Sequence, residues 1–172
     1  MSRRALLESS GDKRFRQLVY DLLTISNRMT LVREHLGRRL TISGPQYSVL
    51  MAILQLQGEN GVGVSALARL LHVSTAFIAT ETGKLVQAGY LTKRADPKDG
   101  RAVLLCLTTR GRSLIESSGD EIRAINDTFF GALNASTFVM LSKAMASLVL
   151  GSELAVAQIN RNAAPEALTA AE

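Results

Sequence analysis

Lys93, Arg94, Lys98 and Arg101 fall within a nine-residue span, around the turn-forming stretch Asp96-Pro97-Lys98-Asp99-Gly100. Cations clustered on a short hairpin suit a polyanion. Each of Lys93, Arg94 and Lys98 either contacts a phosphate or is a solvated charge, and an arginine near the tip also suits a narrow, negatively charged minor groove. Just upstream, residues 74–88 read as a helix opening at Ser74. Its Thr75, Thr80 and Lys84, with Glu81 a further candidate, can hydrogen-bond to base edges in a major groove, and Ala76 and Ala79 can touch thymine methyls. Ile78 is expected to pack inward, whereas Phe77 fits either face. Lys84 is the sole cation between Ser74 and Ala88, so arginine-to-guanine recognition by this helix is not expected.

Other chemistries find little support. The two histidines, His35 and His72, have no partner at metal-ligand spacing, so no metal or other cofactor is expected. The single cysteine, Cys106, sits in the apolar run AVLLCLT, where a thiolate is disfavoured and packing is the expected role. It excludes an intrachain disulfide, in keeping with a cytoplasmic address. GENGVGVS lacks the lysine and preceding strand of a phosphate-binding loop, and no nucleophile–base arrangement has a recognisable local signature, so an enzyme is not expected. No signal peptide is read at MSRRALLESSGDKR. The apolar run 138–159 is interrupted by Lys143, Ser147, Ser152, Glu153 and Gln158, so no membrane span is expected.

The elements that would position the basic hairpin follow from periodicity. With 47% hydrophobic residues and three prolines in 172, the composition is helix-favouring. Phe15, Leu18, Val19, Leu22, Ile25, Met29, Val32 and Leu36 recur at helical spacing, with Gly37 as the expected stop. Ser43, Pro45 and Gln46 form a capping signature for a second helix through Gln57. After a glycine-rich turn, the short helix SALARLL and the helix starting at Ser74 make a helix-turn-helix, with His72 at the left-handed position of the turn. YLTKRA and AVLLCLT, joined by DPKDGR, read as a hairpin. A fifth helix is expected to be capped by Thr109 and to run through Phe130, and a sixth to run from Thr137 towards Ile159.

This order predicts a mainly α fold: a winged helix-turn-helix with long N- and C-terminal dimerisation helices and a small β-hairpin wing. The expected divisions are an N-terminal arm and dimerisation helix (1–40), the winged lobe (41–112), C-terminal dimerisation helices (113–160) and a disordered tail (161–172). Net charge is +5 over residues 1–50, +4 over 51–112 and −4 over 113–172. A basic lobe and an acidic C-terminal part separate a polyanion-binding face from an assembly region. Terminal helices with uncovered apolar stripes predict a homodimer.

GYLTKRADPKDGRAVLLCLTTRG resembles the wing of the MarR (multiple-antibiotic-resistance regulator) family. Asp96, Pro97, Asp99, Arg101, Leu107, Thr108 and Gly111 carry the pattern, and the helix order extends it over roughly residues 12–160. Position 100 departs from it, with Gly where the family commonly has a second Arg. The resemblance implies a cytoplasmic dimer on pseudo-palindromic double-stranded DNA, with Arg101 in the minor groove and Asp96 and Asp99 orienting wing arginines, beside their ordinary role as turn formers. It also implies a small effector, typically an anionic aromatic, that releases the DNA. Arg28 and His35 on one face of the first helix, with Tyr47 early in the second, are the candidate effector residues; the alternative is that Arg28 and His35 are solvated and Tyr47 is core. Relatives that sense peroxide hold their reactive cysteine near the start of the chain, where this one has none. The competing function is a winged-helix protein-interaction module without sequence-specific DNA binding.

Overall fold

The computed structural model describes residues 2–9, 11–97, 99 and 102–163. After a 3-10 turn at Arg4–Leu6 come α1 (Lys13–Arg39), α2 (Gly44–Leu56), β1 (Val62–Gly63), α3 (Val64–Leu71) and α4 (Thr75–Gln87). Strands β2 (Leu91–Ala95) and β3 (Val103–Leu107) follow, then α5 (Thr109–Glu116), α6 (Gly119–Phe130) and α7 (Ala135–Ala163). The fold is mainly helical with a small antiparallel sheet, as the pattern predicted. The chain divides within α6 into two compact units, Met1–Ile125 and Asn126–Glu172.

The first unit is built around the winged lobe. Val49, Leu50 and Ile53 of α2, Leu67 of α3, Ile78 and Leu85 of α4, and Leu91, Leu105 and Leu107 of the sheet form one buried cluster, closed by Ile115 of α5. The α2 entry is the capping box expected: the Ser43 hydroxyl accepts from the Gln46 amide, and the Gln46 side chain accepts from the Ser43 amide at 3.0 Å. His72 adopts the left-handed conformation (φ 51°, ψ 45°) that turns α3 into α4.

Four local features depart from expectation. Helix α1 does not stop at Gly37 but runs to Arg39, and the left-handed residue after it is Thr41 (φ 56°). Gly37 is buried where a Cβ would lie 2.8 Å from the Ser43 carbonyl carbon and 2.9 Å from the Ile42 oxygen, so its role is to let the next loop fold back against α1. The glycine-rich turn contains a two-residue strand, β1, which pairs with β3 (Val62 with Leu105) and makes the sheet three-stranded in the order β1-β3-β2. The expected fifth helix is two. Thr108, not Thr109, caps α5, and the helix ends where the Ser117 hydroxyl donates to the Leu114 carbonyl at 2.7 Å. Ile122 then donates to Ser118 O at 2.9 Å to begin α6.

The fourth departure is α7, which makes up most of the second unit and extends through the expected start of the tail to Ala163. By length and composition it is apolar enough to cross a membrane, contrary to the reading of the interrupted 138–159 run. Leu150, Leu154 and Ile159 are 59%, 66% and 65% exposed within one chain. In the first unit, Leu18, Ile25 and Met29 of α1 are also exposed, so the periodic stripe read there is left uncovered over most of its length.

Candidate nucleic-acid interface

Helix α4 is fixed at its start by the Ser74 hydroxyl, which accepts from the Phe77 amide at 3.1 Å. Its inner side is anchored in the core by Ile78, Thr82 and Leu85, each at most 1% exposed. The outer side presents Thr75, Ala76, Phe77, Ala79, Thr80 and Lys84, all exposed. Of the α4 residues read as DNA contacts, all but Glu81 therefore reach solvent, and Ile78 packs inward as expected. Phe77 stays on the outer side at 37% exposure.

One electrostatic detail was not anticipated. Glu81, read as a further base contact, is buried to 7% exposure. One of its oxygens holds Lys84 Nζ at 2.8 Å, so the only cation of the helix is partly neutralised by its own neighbour. The spacing Glu81–Lys84 (i, i+3) is the signal that carried this pair in the sequence.

The wing is closed by its own hydrogen bonds at the tip and tied to the lobe at its base. β2 and β3 pair from Leu91–Leu107 through Ala95–Val103. At the tip the Asp96 amide donates to Ala102 O (3.0 Å) and the Ala102 amide to Asp99 O (2.8 Å), continuing the hairpin beyond the ladder. Both aspartates thus sit in the turn; the arginine they were expected to orient, Arg101, lies outside the described residues, as do Lys98 and Gly100. Lys93 and Arg94 are exposed on β2. At the base, Thr108 donates to Gly89 O (2.8 Å) while its hydroxyl accepts from the Gly111 amide (3.0 Å). The buried Gln57 side chain accepts from the Leu107 amide (2.9 Å), a contact across 50 residues that no local pattern signals. Arg110 lies over the Tyr90 ring at 5.1 Å.

The candidate effector residues are separated into different surroundings. His35 Nε2 lies 2.8 Å from Glu121 Oε1, and Arg39 Nε donates to Glu121 Oε2 at 3.0 Å. These two hydrogen bonds hold the Glu121 carboxyl below its ordinary value near 4.5. Arg39 and Glu121 belong to this cluster but were missed, because 82 residues separate them. Tyr47 is half-buried, and burial raises its phenol above the ordinary value, so it stays a neutral donor. Arg28 is exposed on α1. Among the described residues no hydrogen bond or ion pair joins Arg28 or Tyr47 to His35.

Cys106 is buried in β3 and its Sγ lies 3.5 Å from Asn60 O, a packed thiol of the sheet. Among the described residues, no three His, Cys, Asp or Glu side chains are grouped to hold a metal ion.

The lobe built by these elements matches known proteins. Residues 40–102 match the model of the MarR family. Over 104 residues, 60% of this chain and 69% of the relative, the sequence is 29% identical to the organic hydroperoxide resistance transcriptional regulator of Bacillus subtilis (strain 168). Among solved structures, the chain is similar in fold to MepR of S. aureus in complex with DNA (TM-score 0.68, 16% identity, covering 77% of this chain and 94% of that one). It is similarly close to CouR of Rhodococcus jostii RHA1 bound to p-coumaroyl-CoA (TM-score 0.66, 20% identity, covering 76% and 90%).

Proposed function

We propose that the chain is a regulator of the MarR family, on the match of residues 40–102 to that family's model and the 29% identity to one of its regulators, and that it is a cytoplasmic homodimeric repressor of pseudo-palindromic duplex DNA. The observation that carries this reading is a pair of exposed elements. The outer side of α4 (Ser74, Thr75, Ala76, Ala79, Thr80, Lys84) and the cations Lys93 and Arg94 of the paired wing all reach solvent. In this reading α4 enters the major groove, Lys93, Arg94 and Lys98 meet phosphates, and Arg101 enters the adjacent minor groove with Asp96 and Asp99 orienting it. Two copies place their α4 helices about 34 Å apart, in successive grooves. MepR in its complex with DNA supports the mode of binding by its likeness in fold.

The test is a gel-shift titration against the DNA upstream of the protein's own gene at two salt concentrations. Binding is expected to weaken steeply with salt, with a log–log slope of about −0.9 per phosphate neutralised. Replacing Lys93 and Arg94 together by Ala is expected to flatten that slope by up to about two units. Arg101→Ala is expected to weaken binding about tenfold or more. A folded dimer that bound neither this DNA nor random duplex would overturn the repressor reading in favour of a protein-interaction module.

The same proposal includes release by a small anionic aromatic. CouR, a fold neighbour solved with p-coumaroyl-CoA, holds an aromatic acyl group as a coenzyme A thioester. In this chain the support is chemical: His35 and Arg39 already grip one carboxylate, that of Glu121, and an effector carboxylate would compete for them. Arg28 and Tyr47 would complete the site, Tyr47 as a neutral donor. Binding shifts the spacing of the recognition helices only as far as the effector prefers one arrangement over the other. The double variant Arg28→Ala/His35→Ala is expected to keep its DNA affinity while needing at least tenfold more of an aromatic carboxylate for release. Release at the wild-type concentration would place the site elsewhere.

A further inference from the structure

The chemistry left exposed on α4 narrows which bases it can recognise. Guanine is most often read by a bidentate arginine or lysine, and α4 has no arginine. Its one lysine is held at 2.8 Å by Glu81 and sits in the last turn of the helix. Of the hydroxyls nearer its start, one has spent its proton within the helix, while Ser74 and Thr75 keep theirs. Ser74 accepts from the Phe77 amide, and Thr80 spends its proton on Ala76 O at 3.0 Å. Thr80 is then left to present a lone pair and a methyl. Thr75, Ala76, Ala79 and Thr80 together expose four methyl groups across the first turns, and Phe77 adds a ring edge. At Gly83, one turn further along the same face, an added Cβ would meet nothing within 4 Å, so no bulk holds the helix away from a groove floor.

A surface without arginine and rich in methyls matches one feature of the major groove. Among the four bases only thymine carries a methyl there, at C5. We propose that α4 selects its half-site through thymine C5-methyl groups packed against Ala76, Ala79 and Thr80, with guanine edges left unread. This rests on the DNA-binding reading above and assigns the base class that the recognition helix takes. Glu81 acts in it as a positioning residue: by holding Lys84 it keeps the one cation of the helix from competing for guanine.

The test starts from duplexes that the full-length protein selects out of a random pool. The tightest is resynthesised with deoxyuridine for thymidine, which removes only the methyl, or with 7-deazaguanine for guanine, which removes the N7 acceptor. Each methyl buried against α4 is expected to contribute roughly three- to fourfold in affinity. Complete uridine substitution should therefore weaken binding by at least tenfold, and 7-deazaguanine by less than twofold. Uridine also alters groove shape, so the decisive arm pairs single uridine positions with Ala79→Gly. At the thymine facing residue 79 the two changes should be non-additive, whereas a shape effect would be the same in both proteins. Uridine duplexes bound within twofold of thymidine ones, a tenfold loss with 7-deazaguanine, or additivity at every position would each overturn the proposal. A pool that yields no enriched duplex would overturn the DNA-binding reading, and this inference with it.

Discussion

Replacing Gly111 by Ala is expected to destabilise the protein by about 3 kcal/mol or more, because among the described glycines its added Cβ would come closest to backbone. The reason lies in the join between wing and α5. A Cβ at residue 111 would overlap the carbonyl oxygen of Tyr90, and would lie 3.1 Å from the Tyr90 carbonyl carbon and from Leu107 Cδ2. The obstacle is backbone, and that backbone is pinned: Tyr90 O accepts from the Thr108 amide at 3.1 Å, and the neighbouring Gly89 O accepts from the Thr108 hydroxyl at 2.8 Å. Gly111 itself donates to Thr108 Oγ1, so moving α5 outward would break its cap. Thermal unfolding followed by circular dichroism should show a melting temperature lower by on the order of 10 °C. An unchanged melting temperature would mean that the α5 junction yields without cost. The Leu-Thr-x-x-Gly part of the wing pattern, Leu107 to Gly111, thus has a physical meaning: the threonine caps, and the glycine lets the helix close onto β2.

The second large effect concerns assembly. Leu150→Asp with Leu154→Asp is expected to convert a dimer into monomers and to weaken operator binding by a hundredfold or more. Both side chains are more than half exposed within one chain, so the substitution removes little from the protomer itself. A helix of 29 residues carries Phe138, Met140, Leu150, Leu154 and Ile159 on its open surface, and in the proposed homodimer a second copy of α7 would cover it with matching length and character. Buried carboxylates facing their own copies across a two-fold axis would repel and remain unpaired. Each freed lobe would then bind a half-site alone and lose the gain of linked binding. Light scattering at micromolar protein gives the mass, and the gel shift gives the affinity. A variant that stays dimeric while folded would exclude this part of α7 from the interface.

How much could be read without coordinates depends on how locally each feature is encoded. The Ser43–Gln46 box, the Ser74 start of α4, His72 in the left-handed turn and the β2–β3 hairpin all rest on interactions between residues a few positions apart. Misplaced boundaries came from competing local signals. Gly37 looked like a terminator but serves a close approach to residues 42–44, and the hydroxyl of Ser117 ends a helix whose apolar periodicity runs on past it. The exposure of the α4 candidates follows from the apolar Ile78, Thr82 and Leu85 side being fixed in the core, which the 3.6-residue period already separates from Ala76, Ala79 and Thr80.

By itself, then, the sequence determined the order of α1 to α4, the caps at Ser43 and Ser74, the turn at His72, the basic β2–β3 hairpin and a helix α4 with a single cation, because these are set by residue type and short spacing. The tertiary structure alone decided which distant residues meet: Glu121 with His35 and Arg39, Gln57 with the Leu107 amide, Val62 as a third strand beside Leu105, and Gly111 beneath Tyr90. Contacts across tens of residues depend on how α1, α2, the sheet and the α5–α6 segment pack together. Neither composition nor periodicity encodes that packing locally, since many partners of the same type would satisfy the same pattern.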